Sequence, residues 1–122
     1  MKFTLPIPPS VNRRQTISCN GRYLVDTKVY REWKADAVTL IQNAMALSEP
    51  VDCTAKFIFT LIIHFADKRT SDLDNRVKAF QDAVTEAGLW EDDSQVDYFS
   101  VRRGEVSPRN GYIEADIQAL IE

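Results

Sequence analysis

The stretch Lys56-Phe57-Ile58-Phe59-Thr60-Leu61-Ile62-Ile63-His64-Phe65 decides the fold. Phe57, Phe59, Leu61, Ile63 and Phe65 alternate with Lys56, Ile58, Thr60, Ile62 and His64, which is the period of a strand. Both alternating sets are largely apolar, so the strand is expected at the centre of its sheet. It is far too short to cross a bilayer as a helix. Downstream, Leu73, Val77, Phe80, Val84 and Ala87 recur at helical spacing and predict a helix from Leu73 to Ala87, closed by Gly88. Upstream, Tyr30, Trp33, Ala37, Leu40, Ala44 and Leu47 form a second apolar stripe, capped by Asp26 or Thr27 and followed by Pro50. Tyr30 and Trp33 read as core packing.

Toward the N-terminus, Phe3 and Leu5 alternate with Lys2 and Thr4 in a short strand that stops at Pro6, Pro8 and Pro9. Residues 6–25 then read as one long irregular segment rich in Arg and Asn, a length usually reserved for function. The last third reads as a hairpin. Val96 to Arg103 is its first strand, Ile113, Ala115, Ile117, Ala119 and Ile121 line one face of the second, and Asn110-Gly111 supplies the turn. The order β-α-β-α-β-β predicts an α+β fold, a two-layer α/β arrangement with two helices packed on a mixed sheet. There is no internal repeat and no linker.

The chain has 122 residues, 44% of them hydrophobic, with 2 Trp, 4 Tyr and 6 Phe, enough for one small core and one domain. A charged fraction of 27% excludes a membrane protein or a disordered tail, and 4 Gly and 5 Pro exclude collagen-like sequence. Cys19 and Cys53 allow one disulfide on paper, but their spacing is not of the metal-binding kind, and two thiols in a reducing cytosol are expected. The first residues lack an apolar signal-peptide core and lead into Arg13-Arg14, so a soluble, cytoplasmic protein is expected, with no membrane partner. Net charge is −3, which disfavours nucleic acid only if the charge is spread evenly. It is not. Residues 1–34 carry 7 basic and 2 acidic side chains, whereas residues 67–97 carry 9 acidic and 4 basic.

The acidic region contains Asp72-Leu73-Asp74-Asn75-Arg76-Val77-Lys78, followed by Asp92-Asp93. On a helix, Asp74, Lys78 and Asp82 share one polar side, opposite the apolar stripe. Asp72 and Asp74 fall in the first turn after the central strand, and Asp92 and Asp93 in the loop after the helix. Carboxylates gathered this way repel unless a cation lies between them. Their hard oxygens suit magnesium or manganese, and a water held on a phosphate by such an ion is a nucleophile for phosphodiester hydrolysis. Lys78 would stabilise charge on the phosphorane or the leaving oxygen. That describes a nuclease site. A plainer reading stands beside it: Ser71 to Asp74 as a capping box with acids on the helix dipole, Asp74 and Lys78 as an ordinary ion pair, and Glu91-Asp92-Asp93 as a solvated loop.

The segments Leu5-Pro6-Ile7-Pro8-Pro9-Ser10-Val11-Asn12-Arg13, Tyr30-Arg31, His64, Asp72-Leu73-Asp74-Asn75, Lys78, Asp82-Ala83 and Gly88-Leu89-Trp90-Glu91-Asp92-Asp93-Ser94-Gln95-Val96 occur in an order and spacing that resemble the RusA-type Holliday-junction resolvases. The resemblance implies a single RusA-like endonuclease domain over residues 1–122, magnesium-dependent (Mn2+ as the alternative ion) and homodimeric. It implies that Asp72, Asp74 and Asp93 bind the metal and that Lys78 is catalytic, with Asn75 and Asp92 as neighbours of the site. The implied substrate is branched DNA, a four-way junction resolved by paired symmetric nicks that leave a 5′-phosphate and a 3′-hydroxyl. Arg13, Arg14, Lys68, Arg69 and Arg76, with Asn12, are the candidate DNA contacts, and Arg22 lies in the same early loop. The chain departs from the family in its shorter basic run, Lys68-Arg69-Thr70-Ser71, and in Ile7, where an aromatic residue can stand. His64, the single histidine, reads as structural before general base, and Trp90 as a packing anchor before a base-stacking platform. Two further readings stay open: a junction-binding module with a structural or degenerate metal site, and a small phosphohydrolase acting on nucleotides.

Overall fold

The strand Lys56–His64 is the axis of the structure. The computed structural model describes residues 1–9, 15–17, 24–68 and 73–120. In chain order the elements are β1 (Lys2–Pro6), β2 (Gln15–Ile17), β3 (Leu24–Asp26), α1 (Lys28–Ala46), β4 (Lys56–His64), α2 (Asp74–Ala87), a short 3-10 turn (Asp93–Gln95), β5 (Val96–Arg103) and β6 (Tyr112–Leu120). Among the described residues two helices pack on one four-stranded mixed sheet, and the principal order is the expected β-α-β-α-β-β of an α+β fold. The segment 6–25, expected to be irregular, contains β2 and pairs it antiparallel with β3.

The sheet order is β1-β6-β4-β5, with β4 antiparallel to β6 and parallel to β5. β4 is therefore central, as its two apolar faces required. Phe57, Phe59, Leu61 and Ile63 point to the helices and are fully buried, each contributing about 2 kcal/mol of burial free energy. They meet Tyr30, Trp33, Ala37 and Ile41 from α1, and Val77, Phe80, Ala83, Val84 and Ala87 from α2. Phe59 is the hub, with ring centroids 5.1 Å from Phe80, 6.1 Å from Trp90 and 5.1 Å from Phe99.

The expected C-terminal hairpin does not form. β5 lies on one side of β4 and β6 on the other. The connecting residues 104–111 step across the end of β4: Gly104 N–H donates to the Ile63 carbonyl at 2.9 Å, and Ser107 N–H to the Phe65 carbonyl at 2.8 Å. Glycine permits the close passage, since a Cβ on Gly104 would lie 2.3 Å from the His64 ring, and one on Gly111 2.9 Å from the His64 carbonyl oxygen. Asn110-Gly111 ends this crossing instead of turning a hairpin. Alternation reports which face a side chain takes; it says nothing of which strand lies alongside.

The helices begin and end for local reasons. Thr27, one of the two expected caps, accepts from the Tyr30 N–H at 3.2 Å. The buried stripe of α1 runs through Ile41, whereas the expected Leu40 is exposed and Leu47 is 91% exposed beyond the helix end. Steps of three and four residues are both helical, so periodicity alone does not choose between neighbouring apolar positions. α2 starts one residue later than expected: Leu73 is its N-cap, half-buried against the core and without a side-chain cap. Gly88 ends it at φ 90°, in the left-handed region that favours glycine, donating to the Val84 and Thr85 carbonyls. Among the described residues no helix is long and apolar enough to cross a membrane. Cys53 is a half-buried free thiol, and Cys19 lies outside the described residues.

Candidate active site

The polar side of α2 carries Asp74, Lys78 and Asp82, because the opposite side is committed to the core through Val77, Phe80 and Val84. Trp90 folds the chain back along the helix. It is 1% exposed, donates from Nε1 to Thr85 Oγ1 at 2.7 Å, and packs on Phe57 at 5.4 Å. The packing-anchor reading holds, and a ring so enclosed offers no face to a base.

After this fold-back, residues 91–95 are fixed by one side chain. Gln95 Oε1 accepts from the Glu91 and Asp92 N–H groups at 2.9 and 3.0 Å, and its Nε2 donates to the Cys53 and Ala55 carbonyls at 2.7 and 2.8 Å. Asp92 completes a reciprocal capping box with Gln95. The Ser94 hydroxyl donates to Asp92 at 3.0 Å and holds its carboxyl below the usual range. Asp92 thus serves the turn that presents Asp93. The sequence pattern Asp92-x-x-Gln95 carried that signal; the tie to residues 53 and 55 is long-range and had none.

Asp93 meets Lys78. The ammonium lies 3.0 Å from Asp93 Oδ2 and 3.0 Å from Asp82 Oδ1. Its two carboxylate partners, Asp93 first, raise the Lys78 pKa above its ordinary value, so the side chain is charged across the neutral range. The expected i, i+4 pair of Asp74 with Lys78 is absent among the described residues. Lys78 turns the other way along the helix and toward the turn. Asp74 is the first residue of α2, exposed to solvent, where its charge complements the helix N-terminus. Asn75 is half-buried beside it.

Arg76 reaches back to Phe65, its guanidinium carbon 5.6 Å from the ring centroid, and Arg103 from β5 covers the same ring at 5.1 Å. Phe65 and Arg103 are far apart in the chain. Nothing local links them, because only the parallel pairing of β4 with β5 brings them together. Lys68 is exposed just beyond β4. Asp72, Arg69, Asn12, Arg13, Arg14 and Arg22 lie outside the described residues.

His64 sits elsewhere, at the end of β4. Its Nε2 is 2.7 Å from Glu114 Oε2, its Nδ1 is 2.8 Å from the Glu105 carbonyl oxygen, and its ring stacks on Tyr112 at 4.4 Å. Both ring nitrogens face acceptors, which an imidazolium satisfies and neither neutral tautomer does. The Glu114 carboxylate accordingly raises the His64 pKa. Its ring nitrogens are thus both engaged within the fold.

Among the described residues no three acidic, histidine or cysteine side chains gather to hold a metal ion. Two of the three expected ligands are described, Asp74 without a partner among the described residues and Asp93 with Lys78. The donor set is carboxylate oxygen alone, since the only imidazole is taken up by Glu114 and Glu105. That chemistry fits a hard divalent cation, with the Lys78 ammonium already marking Asp93 as a cation acceptor.

The family described as Endodeoxyribonuclease RusA matches residues 6–118. Crossover junction endodeoxyribonuclease RusA of Escherichia coli (strain K12) is 36% identical over 128 residues, covering 97% of this chain and 93% of the relative. The protein of the same name from Shigella sonnei (strain Ss046) gives the same figures. That of Enterobacteria phage 82 is 36% identical over 125 residues, again covering 97% and 93% of the two chains.

Proposed function

The chain belongs to the RusA family of endodeoxyribonucleases, and from that premise we propose that it resolves four-way DNA junctions in recombination and repair, as a homodimer in the cytoplasm. The reading takes residues 1–122 as a single RusA-like endonuclease domain. Asp72, Asp74 and Asp93 hold Mg2+, with Mn2+ as the alternative, and Lys78 is catalytic. When bound, the ion supplies Lewis-acid charge neutralisation for phosphodiester hydrolysis. Lys78 stabilises the charge that develops on the phosphorane or the leaving 3′-oxygen, a task suited to an ammonium that is charged at neutral pH. Gln95 and Asp92 present Asp93, and the helix start presents Asp74.

Water adds to phosphorus, the P–O3′ bond breaks, and the products are a 5′-phosphate and a 3′-hydroxyl. A two-fold dimer presents one such site to each of two opposed strands, which makes the nicks paired and symmetric. Arg13, Arg14, Lys68, Arg69 and Arg76, with Asn12, supply phosphate contacts. Asn75 lines the site beside Asp74.

The observation that carries this reading is the bridge from α2 to the 91–95 turn: Lys78 joins helix and turn at the positions the resemblance marks as catalytic. A labelled synthetic four-way junction incubated with Mg2+ should give symmetric nicks. Asp74→Asn should lower the rate by at least about 10²-fold while preserving or strengthening junction binding, because it removes a negative charge near phosphate. Normal cutting by that variant would rule the site assignment out. Tight binding with no product under any divalent ion would leave a junction-binding module instead.

A further inference from the structure

Lys78 stands between two carboxylates that are built differently. Asp93 belongs to the proposed metal site, and Asp82 does not. An ammonium and a dication repel each other, so Asp93 cannot serve both through the same oxygen. When Asp93 turns to a divalent ion, Lys78 needs somewhere else to stay. We infer that Asp82 is a positioning residue that retains the Lys78 ammonium beside the reacting phosphate while releasing Asp93 to the metal. This rests on the nuclease reading above.

Asp82 is fitted for that role by what lies behind it. Its Oδ1 takes the ammonium, and its Oδ2 is 3.5 Å from the Tyr30 hydroxyl. Tyr30 is 5% exposed, and its ring stacks on Trp33 at 6.1 Å with 10° between planes. Trp33 Nε1 in turn donates to the Pro6 carbonyl at 2.9 Å. One turn further along the same helix pair, Lys34 lies 3.4 Å from Glu86 and 5.3 Å from the Tyr30 ring centroid. A bare i, i+4 pair with the cation N-terminal to the acid is the weaker orientation on a helix and is worth only a few tenths of a kcal/mol. The tyrosine from α1 gives the carboxylate of that surface pair a second, long contact from another helix. Lys78 itself is 63% exposed, so it retains the freedom to leave Asp93 without unpacking anything.

Asp82→Asn keeps the shape and removes the charge. Lys78 then stays on Asp93 and competes with the ion. The affinity for Mn2+, read by electron paramagnetic resonance without DNA, should weaken by about fivefold to tenfold, and kcat should fall by a similar factor, with KM for the junction unchanged. Asp82→Glu should restore most of both. Tyr30→Phe should move Mn2+ affinity the same way by about twofold. The decisive comparison is Lys78→Ala with and without Asp82→Asn: if Asp82 acts through Lys78, the second change does nothing to Mn2+ affinity once Lys78 is gone.

Equal weakening in both backgrounds overturns the inference, as does unchanged Mn2+ affinity in Asp82→Asn, or a loss of thermal stability as its only effect. A wild-type protein that binds Mn2+ and cuts while Asp82→Asn behaves identically sinks this inference alone. A wild-type protein that neither binds Mn2+ nor cuts sinks the nuclease reading and this inference with it.

Discussion

Lys78 and His64 make the same connection in opposite ways. Each is a nitrogen side chain held between two oxygen acceptors from separate segments. Lys78 joins Asp82 on α2 to Asp93 in the following turn, while His64 joins Glu114 on β6 to the Glu105 carbonyl in the connector that crosses β4. Lys78 is a mobile point charge on a flexible stem, largely in solvent. The His64 side chain is 12% exposed and clasped between Tyr112 and the backbone at Gly104. The difference teaches that ion-pair distance alone does not identify a functional cation. What separates them is whether the charged group can leave.

The comparison breaks most sharply at Lys78. Lys78→Ala should reduce junction cutting by about 10²–10³-fold, the range for losing one preorganised charge in a transition state. Thermal unfolding of the same variant should change by less than about 1 kcal/mol, because exposed ion pairs contribute little. A large stability loss with modest loss of cutting would put Lys78 in the same class as His64. Gly104→Ala tests the other side. A Cβ there meets His64 Cε1 at 2.3 Å, Nδ1 at 2.5 Å and Ile62 Cγ2 at 2.7 Å, so the ring must move. Overpacking of this kind costs about 1–3 kcal/mol, read from the denaturant midpoint. Cutting per folded molecule should stay within about twofold of wild type, since neither His64 nor Gly104 reaches Asp93 or Lys78.

The sequence made one of these clusters half legible and hid the other. Lys78 and Asp82 share a helix face by spacing, so their proximity followed from the apolar stripe at Val77, Phe80 and Val84. Asp93 did not follow, because its arrival depends on Trp90 packing under Phe57 and on Gln95 reaching the carbonyls of Cys53 and Ala55. The choice of Asp82 over Asp74 as the partner of Lys78 was equally open, since i−4 and i+4 are both neighbours on a helix. β4 was legible as a central strand from its two apolar faces. Its neighbours were not: Val96 to Arg103 and Tyr112 to Leu120 alternate correctly for a hairpin, yet the crossing at residues 104–111 inserts β4 between them. His64 could be seen as a lone histidine, but both of its acceptors, Glu105 and Glu114, arrive through that crossing.

The smallest effect is the most specific. Among the described residues, the titratable and charged groups that face His64 are the Glu114 carboxylate from β6 and the Glu105 carboxylate from the connector, with the Glu105 carbonyl and the Tyr112 ring beside them. The Glu114 hydrogen bond is the largest cause of the raised pKa, with burial opposing it. A folded-state pKa above the unfolded value means that the folded protein binds the proton more tightly. The stability this supplies is fully present below the unfolded pKa of about 6.5 and is lost as pH rises through the folded value. Compared with His64→Gln, the wild type should therefore gain most below the unfolded pKa of about 6.5 and converge on the variant as pH rises through the higher folded-state value, measured by urea midpoints. Lys78→Ala supplies the contrast. Its ammonium pKa is raised from 10.5, so folded and unfolded states both hold that proton across this window, and its stability difference from wild type should not slope with pH. A slope at Lys78, or none at His64, would reverse the assignment of which cation titrates with the fold and which remains charged for chemistry.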